Sequence, residues 1–428
     1  MICQGLSGSI NELHHVPEML AYATTKPTPP TPGLAARRTD PATSSRNRQS
    51  PRVDRASDDF SPASPGPGGQ DRQSEAAYDP GVRVGVLMLP TDPWPESVQR
   101  AQRLESIGYH HLWTYDHLSW RRYRDRAWHA AIPWLTGLAA ATNTVRLGTM
   151  VASPNFRHPV TLAKEAMTLD HISSGRLTLG IGAGGPGFDA TVLGGAQPTP
   201  SQRASRLAEF VHVLDQILRQ PATSYRGAHY TVNDARTIPG CLQQPRVPLA
   251  IAAGGRKTLA LAARYADTWI TYGDATHQDT SPSGTERIVR TQAEQLAEHC
   301  AAVGRDARDI ARLYVIGNTD ERPLASVEAF TDFIGRYHEL GFTDVVFHHP
   351  RPDDPEWNDD PEIVEAIATD VLPTLGCTTP SVTKPIPPRR ANPCGQAPNT
   401  LPLPTTAAAL AAPAAGADNP KPDSRLAK

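Results

Sequence analysis

The 428-residue chain is short of cysteine, of aromatic residues and of net charge. Its five cysteines (Cys3, Cys241, Cys300, Cys377 and Cys394) are scattered, and none has a partner at metal-ligand spacing. That pattern gives neither a disulfide framework nor a thiolate metal centre, and it fits a reducing cytoplasm. The formal net charge is −2, so there is no basic surplus to draw the chain to nucleic acid or to an anionic membrane. No apolar run approaches the roughly 20 residues that span a bilayer. The first residues, MICQGLSGSINELHH, lack the basic start and unbroken apolar core of a secretory signal.

Proline is plentiful but uneven. Of 42 prolines, 11 fall in residues 1–80 and 11 more in 378–428. Both ends are also rich in Ser, Thr, Ala and Gly, and such segments bury too little apolar surface to offset the entropy of ordering. The expected organisation is therefore a disordered tail over 1–80, one domain over 81–377 and a second disordered tail over 378–428. The central span is long enough for one large α/β domain.

The stretch from Val145 to Gly185 shows how that domain is built. A β-branched run, Val145 to Ala152, ends in a Ser-Pro-Asn loop. Pro159 then stands where the first turn of a helix tolerates proline, because its missing N–H would be unpaired there anyway. Leu162, Ala166, Leu169 and Ile172 follow at spacings of four, three and three, which predicts one buried face. Gly175 stops the helix, and Arg176 to Ile181 is a second strand that opens into Gly182-Ala183-Gly184-Gly185. This is a βαβ unit.

The same alternation runs along the whole domain. Strands are predicted at 82–89, 109–115, 247–253, 268–272, 311–316 and 344–348 besides the two above. Helices are predicted near 95–107, 130–141, 201–218, 257–265, 285–303, 324–340 and 361–372. Two short strand-like pieces interrupt the series around Ser224–Tyr230. Eight strand–helix alternations over about 295 residues predict a parallel (β/α)8 TIM barrel, whose site lies at the C-terminal ends of its strands. Asp116-His117, the loop after Val151 and the pairs Gly184-Gly185 and Gly254-Gly255 all fall there.

His117 is the candidate proton carrier, since imidazole titrates near neutrality. A lone Asp-His pair more often caps a loop without doing chemistry; its place at a barrel strand end reverses that reading. His110 and His111, within or before the strand, read as structural. The glycine pairs allow backbone N–H groups to approach an anion, and Gly254-Gly255 directly precedes a helix, so it is the better phosphate cradle. Tight βα turns also use glycine for geometry alone. Trp120, Arg121, Arg122, Tyr123, Arg124 and Arg126 read either as a lid over an anionic ligand or as a solvated charge run. No metal site is expected.

Several stretches carry a family resemblance over about 82–376. They are Trp113-Thr114-Tyr115-Asp116-His117-Leu118, Arg146-Leu147-Gly148-Thr149 through Ser153-Pro154, Leu169 to Leu177 with Gly180 to Gly184, the Gly254-Gly255 turn, and Ala266-Asp267-Thr268-Trp269. The chain resembles the bacterial luciferase-like superfamily of flavin- and deazaflavin-dependent oxidoreductases. It is most similar to the coenzyme F420 branch, through its short layout and the Phe156-Arg157-His158-Pro159 entry to the third helix.

The resemblance implies a cofactor ring across the barrel mouth. Asp116 and His117 would meet it, with His117 nearest its reactive carbon. Met150, Val151 and Ser153 would back the other face, with a cis peptide at about Met150-Val151. Gly184 and Gly185 would border the ring, and Gly254-Gly255 would hold the phosphate. The sugar-phosphate dehydrogenases of this branch carry a glutamate where this chain has Gly185, which argues against a sugar phosphate as substrate. The expected activity is hydride transfer between F420 and a small organic molecule. An FMN-dependent monooxygenase using molecular oxygen is the alternative, and a flavin- or deazaflavin-binding protein without turnover is the alternative of another class. The resemblance also implies a homodimer.

Overall fold

The computed structural model describes residues 81–376 except 274–277, 318 and 352. The tails predicted over 1–80 and 378–428 lie outside the described residues. Eight parallel strands close into a barrel: β1 (Arg83–Leu87), β2 (His111–Thr114), β3 (Arg146–Thr149), β4 (Leu177–Ile181), β7 (Leu249–Ala252), β8 (Thr268–Thr271), β9 (Ala311–Val315) and β10 (Asp344–His348). β10 pairs back onto β1, with Leu87 opposite His348. The remaining strands, β5 (Ala222–Arg226) and β6 (Thr231–Arg236), form an antiparallel hairpin outside the barrel. It starts two residues before the predicted strand-like pieces and ends six residues after them.

Helices follow the strands: α1 (Trp94–Ser106), α2 (Ala131–Ala141), α3 (Pro159–Ile172), α5 (Pro200–Arg219), α6 (Arg256–Tyr265), α7 (Pro282–Ala302), α8 (Val327–Glu339) and α9 (Glu362–Asp370). A single turn, α4 (Phe188–Thr191), lies between β4 and α5 and was not anticipated from the sequence. Four residues behind a glycine leave no periodicity to read. Leu162, Ala166 and Leu169 of α3 are fully buried as expected, but Ile172 is 43% exposed. Ten residues beyond Leu162 at about 100° each, Ile172 has rotated to the edge of the buried face.

Side chains alternate along each strand between two hydrophobic layers. Val84, Val86, Leu147, Ile251, Val345 and Phe347 join the layer between barrel and helices. Leu87, Trp113, Met150, Ala250, Ile270 and Val346 fill the barrel interior. Trp113 fits because its neighbour across the β2–β3 pair is Gly148. A Cβ there would stand 2.2 Å from the indole.

The bottom of the barrel is polar. Asp344 accepts Nε and Nη2 of Arg83 at 2.8 and 2.7 Å and lies 3.2 Å from Nε2 of His111. His111 Nδ1 in turn accepts Trp113 Nε1 at 2.7 Å. Asp344, far away in sequence, and Trp113, two residues on, explain the structural reading of the histidine. Burial is the main cause that pushes His110 and His349 down to about 4, and it lowers His111 and His348 as well.

The native state thus keeps these imidazoles neutral, while the unfolded chain protonates them near their ordinary value of about 6.5. Below that pH the unfolded state binds more protons, so stability falls as pH falls. Thermal melts at closely spaced pH values should show Tm level above about pH 7 and declining steadily from about pH 6.5 toward pH 4. A Tm that stays flat over that interval contradicts the buried neutral histidines.

Candidate active site at the barrel mouth

The end of β2 runs into Tyr115, Asp116 and His117. Tyr115 continues the inward set of His111 and Trp113. The Asp116 side chain is 1% exposed, and both its oxygens are taken by Arg157, Nε at 2.9 Å and Nη2 at 2.8 Å. Arg157 also reaches Glu165 of α3 at 2.9 Å. A planar guanidinium holding two carboxylates ties the loop after β3 to the end of β2. Asp116 therefore positions the backbone of the mouth, and its carboxylate is occupied.

His117 is half-buried. Its Nδ1 lies 2.5 Å from Oδ2 of Asp189, and its carbonyl accepts Trp128 Nε1 at 2.9 Å. Aromatic rings surround it: Tyr115 at 5.9 Å, Trp120 at 6.2 Å and Trp128 at 6.2 Å between centroids. Trp120 stacks on Tyr123 and on Trp357, which lies in the loop after β10. The segment 120–126 is accordingly a set of packed rings, with Arg122 drawn inward and Arg121, Arg124 and Arg126 exposed. Arg122 pairs with the buried carboxylate of Asp354, which also accepts Tyr123 Oη at 2.9 Å and Arg351 Nη2 at 2.9 Å. Burial alone would raise the Asp354 carboxyl; the bonds, Arg122 foremost, outweigh it and hold the group below the usual carboxylate range. Arg121 lies over Trp120 and Arg124 over Phe188, at 5.0 and 4.9 Å.

At the inward end of β10, His348 stacks on Trp357 at 3.8 Å, and its Nε2 is 2.9 Å from Tyr115 Oη. Burial first, then the nearby Arg351, keeps this imidazole neutral.

The end of β3 forms the floor. The Met150–Val151 peptide is cis, where the resemblance implied one. Met150 is buried, and half-buried Val151 packs against the interior cluster. Ser153 Oγ accepts the Asn155 N–H at 3.2 Å. The glycine loop after β4 lies against this floor. A Cβ on Gly182 would meet Val151 at 2.5 Å, and Gly184, at φ +72°, would meet Asn155 and Ser153. Gly185 is exposed, with nothing within 4 Å of its would-be Cβ, and its carbonyl accepts Asn155 Nδ2 at 3.0 Å. Gly254 and Gly255 follow β7, and Gly255 caps α6; both are exposed to solvent.

The structure thus gathers Asp116, His117, Met150, Val151, Ser153, Gly184, Gly185, Gly254 and Gly255 at one end of the barrel, the C-terminal ends of β2, β3, β4 and β7. Sequence reasoning missed Asp189, Tyr115 and His348 as members of this end, and it quoted Arg157 without a role. Asp189 is the first acid after the glycine run, which is the one signal that could have marked it.

A closed parallel barrel with titratable and glycine-rich strand ends has the architecture of a TIM-barrel enzyme. The chain belongs to the luciferase-like monooxygenase family, whose model matches residues 68–366. It is 32% identical over 230 residues to an F420-dependent glucose-6-phosphate dehydrogenase of Kineococcus radiotolerans, covering 53% of this chain and 65% of that protein, just under two thirds of its length. A dehydrogenase of the same description from Beutenbergia cavernae is 28% identical over 321 residues, covering 63% of this chain and 90% of that protein. A solved F420-dependent secondary alcohol dehydrogenase, in complex with an F420-acetone adduct, superposes with a TM-score of 0.58 at 18% identity. That match covers 69% of this chain and 99% of the other, and it bears on the fold alone.

Proposed function

We propose that this protein is an F420-dependent oxidoreductase acting on a small organic molecule. The observation that carries the reading is the half-buried His117 imidazole at the mouth, fixed between packed rings above an apolar floor, in a chain similar to several proteins named as F420-dependent dehydrogenases. When bound, F420 supplies a ring carbon that gives or takes a hydride.

The residues present fit such a group. Met150 and Val151 offer an apolar floor for a planar ring. The first turn of α6 has no acidic residue, while Arg256 and Lys257 stand in it, exposed. Cations are unfavourable at a helix N-terminus unless an anion lies there, so Gly254-Gly255 would hold the phosphate. Ser153, Gly184 and Gly185 would border the ring, and Asp116 would hold the loop that carries His117. His117 would take the proton that leaves a hydroxyl, or give one to a carbonyl. The proposed substrate is not a sugar phosphate, because Gly185 stands where the resemblance implies a glutamate for sugar-phosphate dehydrogenases, and nothing lies within 4 Å of a Cβ placed there. No helix among the described residues is long and apolar enough to cross a membrane. A reducing cytoplasm suits Cys241 and Cys300, which are free and buried.

Fluorescence titration of the full chain with F420 and, separately, with FMN tests this. Tight binding of F420 alone supports the reading. Preference for FMN, with oxygen consumption beside a flavin reductase, would instead support a monooxygenase, the chemistry in the family's description. Binding of neither would leave the fold and remove the cofactor.

Gly255→Asp separates cofactor binding from folding. The backbone there is extended and the Cβ meets nothing, so aspartate fits and caps the helix. Tm should hold or rise slightly, while the F420 dissociation constant rises at least about tenfold, because a carboxylate takes the place of the phosphate. Unchanged F420 affinity would move the phosphate elsewhere.

A further inference from the structure

Four carboxylates near the mouth pair with arginine: Asp116 and Glu165 with Arg157, Asp354 with Arg122 and Arg351, and Glu356, in the loop after β10, with Arg121 and Arg122. Asp189 differs. Its Oδ2 lies on His117 Nδ1 at 2.5 Å, and its Oδ1 accepts the backbone N–H of Leu118 at 3.0 Å and, more weakly, of Ser119 at 3.4 Å. One carboxylate therefore grips both the imidazole and the chain that carries it. Its side chain is only 10% exposed.

We infer that Asp189 is a positioning residue that sets the tautomer of His117. An ionised carboxylate only accepts, so Nδ1 must carry the hydrogen and Nε2 must present its lone pair. Nε2 is then the nitrogen that accepts a proton from a substrate hydroxyl or, once protonated, returns it to a carbonyl oxygen. Asp189 itself takes no proton in either direction. This role deepens the oxidoreductase reading and rests on it for its chemical meaning, though not for its geometry.

The backbone N–H groups make the inference testable. In Asp189→Asn, the amide oxygen must face the N–H groups of Leu118 and Ser119. The amide NH2 then faces His117 Nδ1, which can only accept, and the hydrogen moves to Nε2. Asp189→Glu keeps an acceptor-only group and serves as the conservative control.

The experiment is long-range ¹H–¹⁵N correlation at mildly alkaline pH on the full chain carrying ¹⁵N-imidazole histidine, with His117 assigned by loss of its signals in His117→Gln. It needs neither cofactor nor substrate. The expected result is a protonated Nδ1 and a bare Nε2 in the native protein and in Asp189→Glu, with the reverse in Asp189→Asn. The same signature in native protein and Asp189→Asn, or a bare Nδ1 in the native protein, overturns the inference. F420 titration runs alongside. An inverted tautomer in a protein that fails to bind F420 would retain the Asp189–His117 pair and discard the oxidoreductase reading. F420 binding without the inversion would do the opposite. Where turnover is measured, Asp189→Asn should lower kcat at least about a hundredfold with F420 affinity unchanged within about threefold, as expected of a wrong tautomer.

Discussion

Replacing His117 by alanine is expected to lower turnover by about 10²- to 10⁴-fold, the range of a lost general acid or base, while leaving F420 affinity nearly unchanged. The two effects separate because the groups proposed to hold the cofactor belong to other strand ends, Met150 and Val151 after β3 and Gly254-Gly255 after β7. The fold should tolerate the change. The imidazole is half-buried, its ring contacts are edge-on or distant, and the loop keeps the Trp128 bond to the residue 117 carbonyl and the Asp189 bond to Leu118 N–H. Steady-state F420 absorbance with a panel of small alcohols and carbonyls, beside cofactor titration, reads both quantities. Turnover equal to that of the native protein would remove His117 from the chemistry.

The largest effect on stability is expected at the opposite end of the barrel. Asp344→Ala should cost about 3–5 kcal/mol, the loss typical of removing one partner of a buried ion pair. Asp344 is 4% exposed and receives Arg83 twice and Thr343 Oγ1 at 2.7 Å, with His111 Nε2 at 3.2 Å. Burial by itself would raise its pKa. The bonds to His111 and Arg83 outweigh burial and hold the carboxyl well below the usual range. Arg83 is partly exposed and can turn to water when the carboxylate is gone. His111 cannot, because it is buried and its Nδ1 is occupied by Trp113. Urea denaturation should show a lower midpoint with an unchanged slope, since the surface exposed on unfolding stays the same. A midpoint shift worth less than about 1 kcal/mol would mean that the cluster is already wet.

The barrel was legible because short segments rich in apolar and β-branched residues alternate regularly with longer segments that carry an apolar stripe at helical spacing. β1 to β4 and β7 to β10 arise from local patterns that tertiary packing then uses. The residues that complete the mouth were not legible for the opposite reason. Asp189 is 72 positions from His117, and His348 is 233 from Tyr115, so nothing local marks either pair. The segment 120–126 was ambiguous for the same cause. Arg122 is drawn from solvent by Asp354, 232 residues further on, while Arg121, Arg124 and Arg126 stay exposed. Ile172 shows the converse error, in which a correct stripe was extended one turn too far.

The packing of the mouth also has an optical consequence. The chain has seven tryptophans. Trp120 stands 6.1 Å from Trp128 and 5.8 Å from Trp357, close enough for the three indoles to share excitation. Trp113 lies below them inside the barrel, while Trp134 and Trp269 belong to the outer layer and Trp94 is 42% exposed. A ligand seated at the mouth would therefore darken a connected group of emitters and leave a steady background from the remainder. The protein carries its own reporter of occupancy, placed where the chemistry is proposed to occur, and binding there can be followed with no label attached.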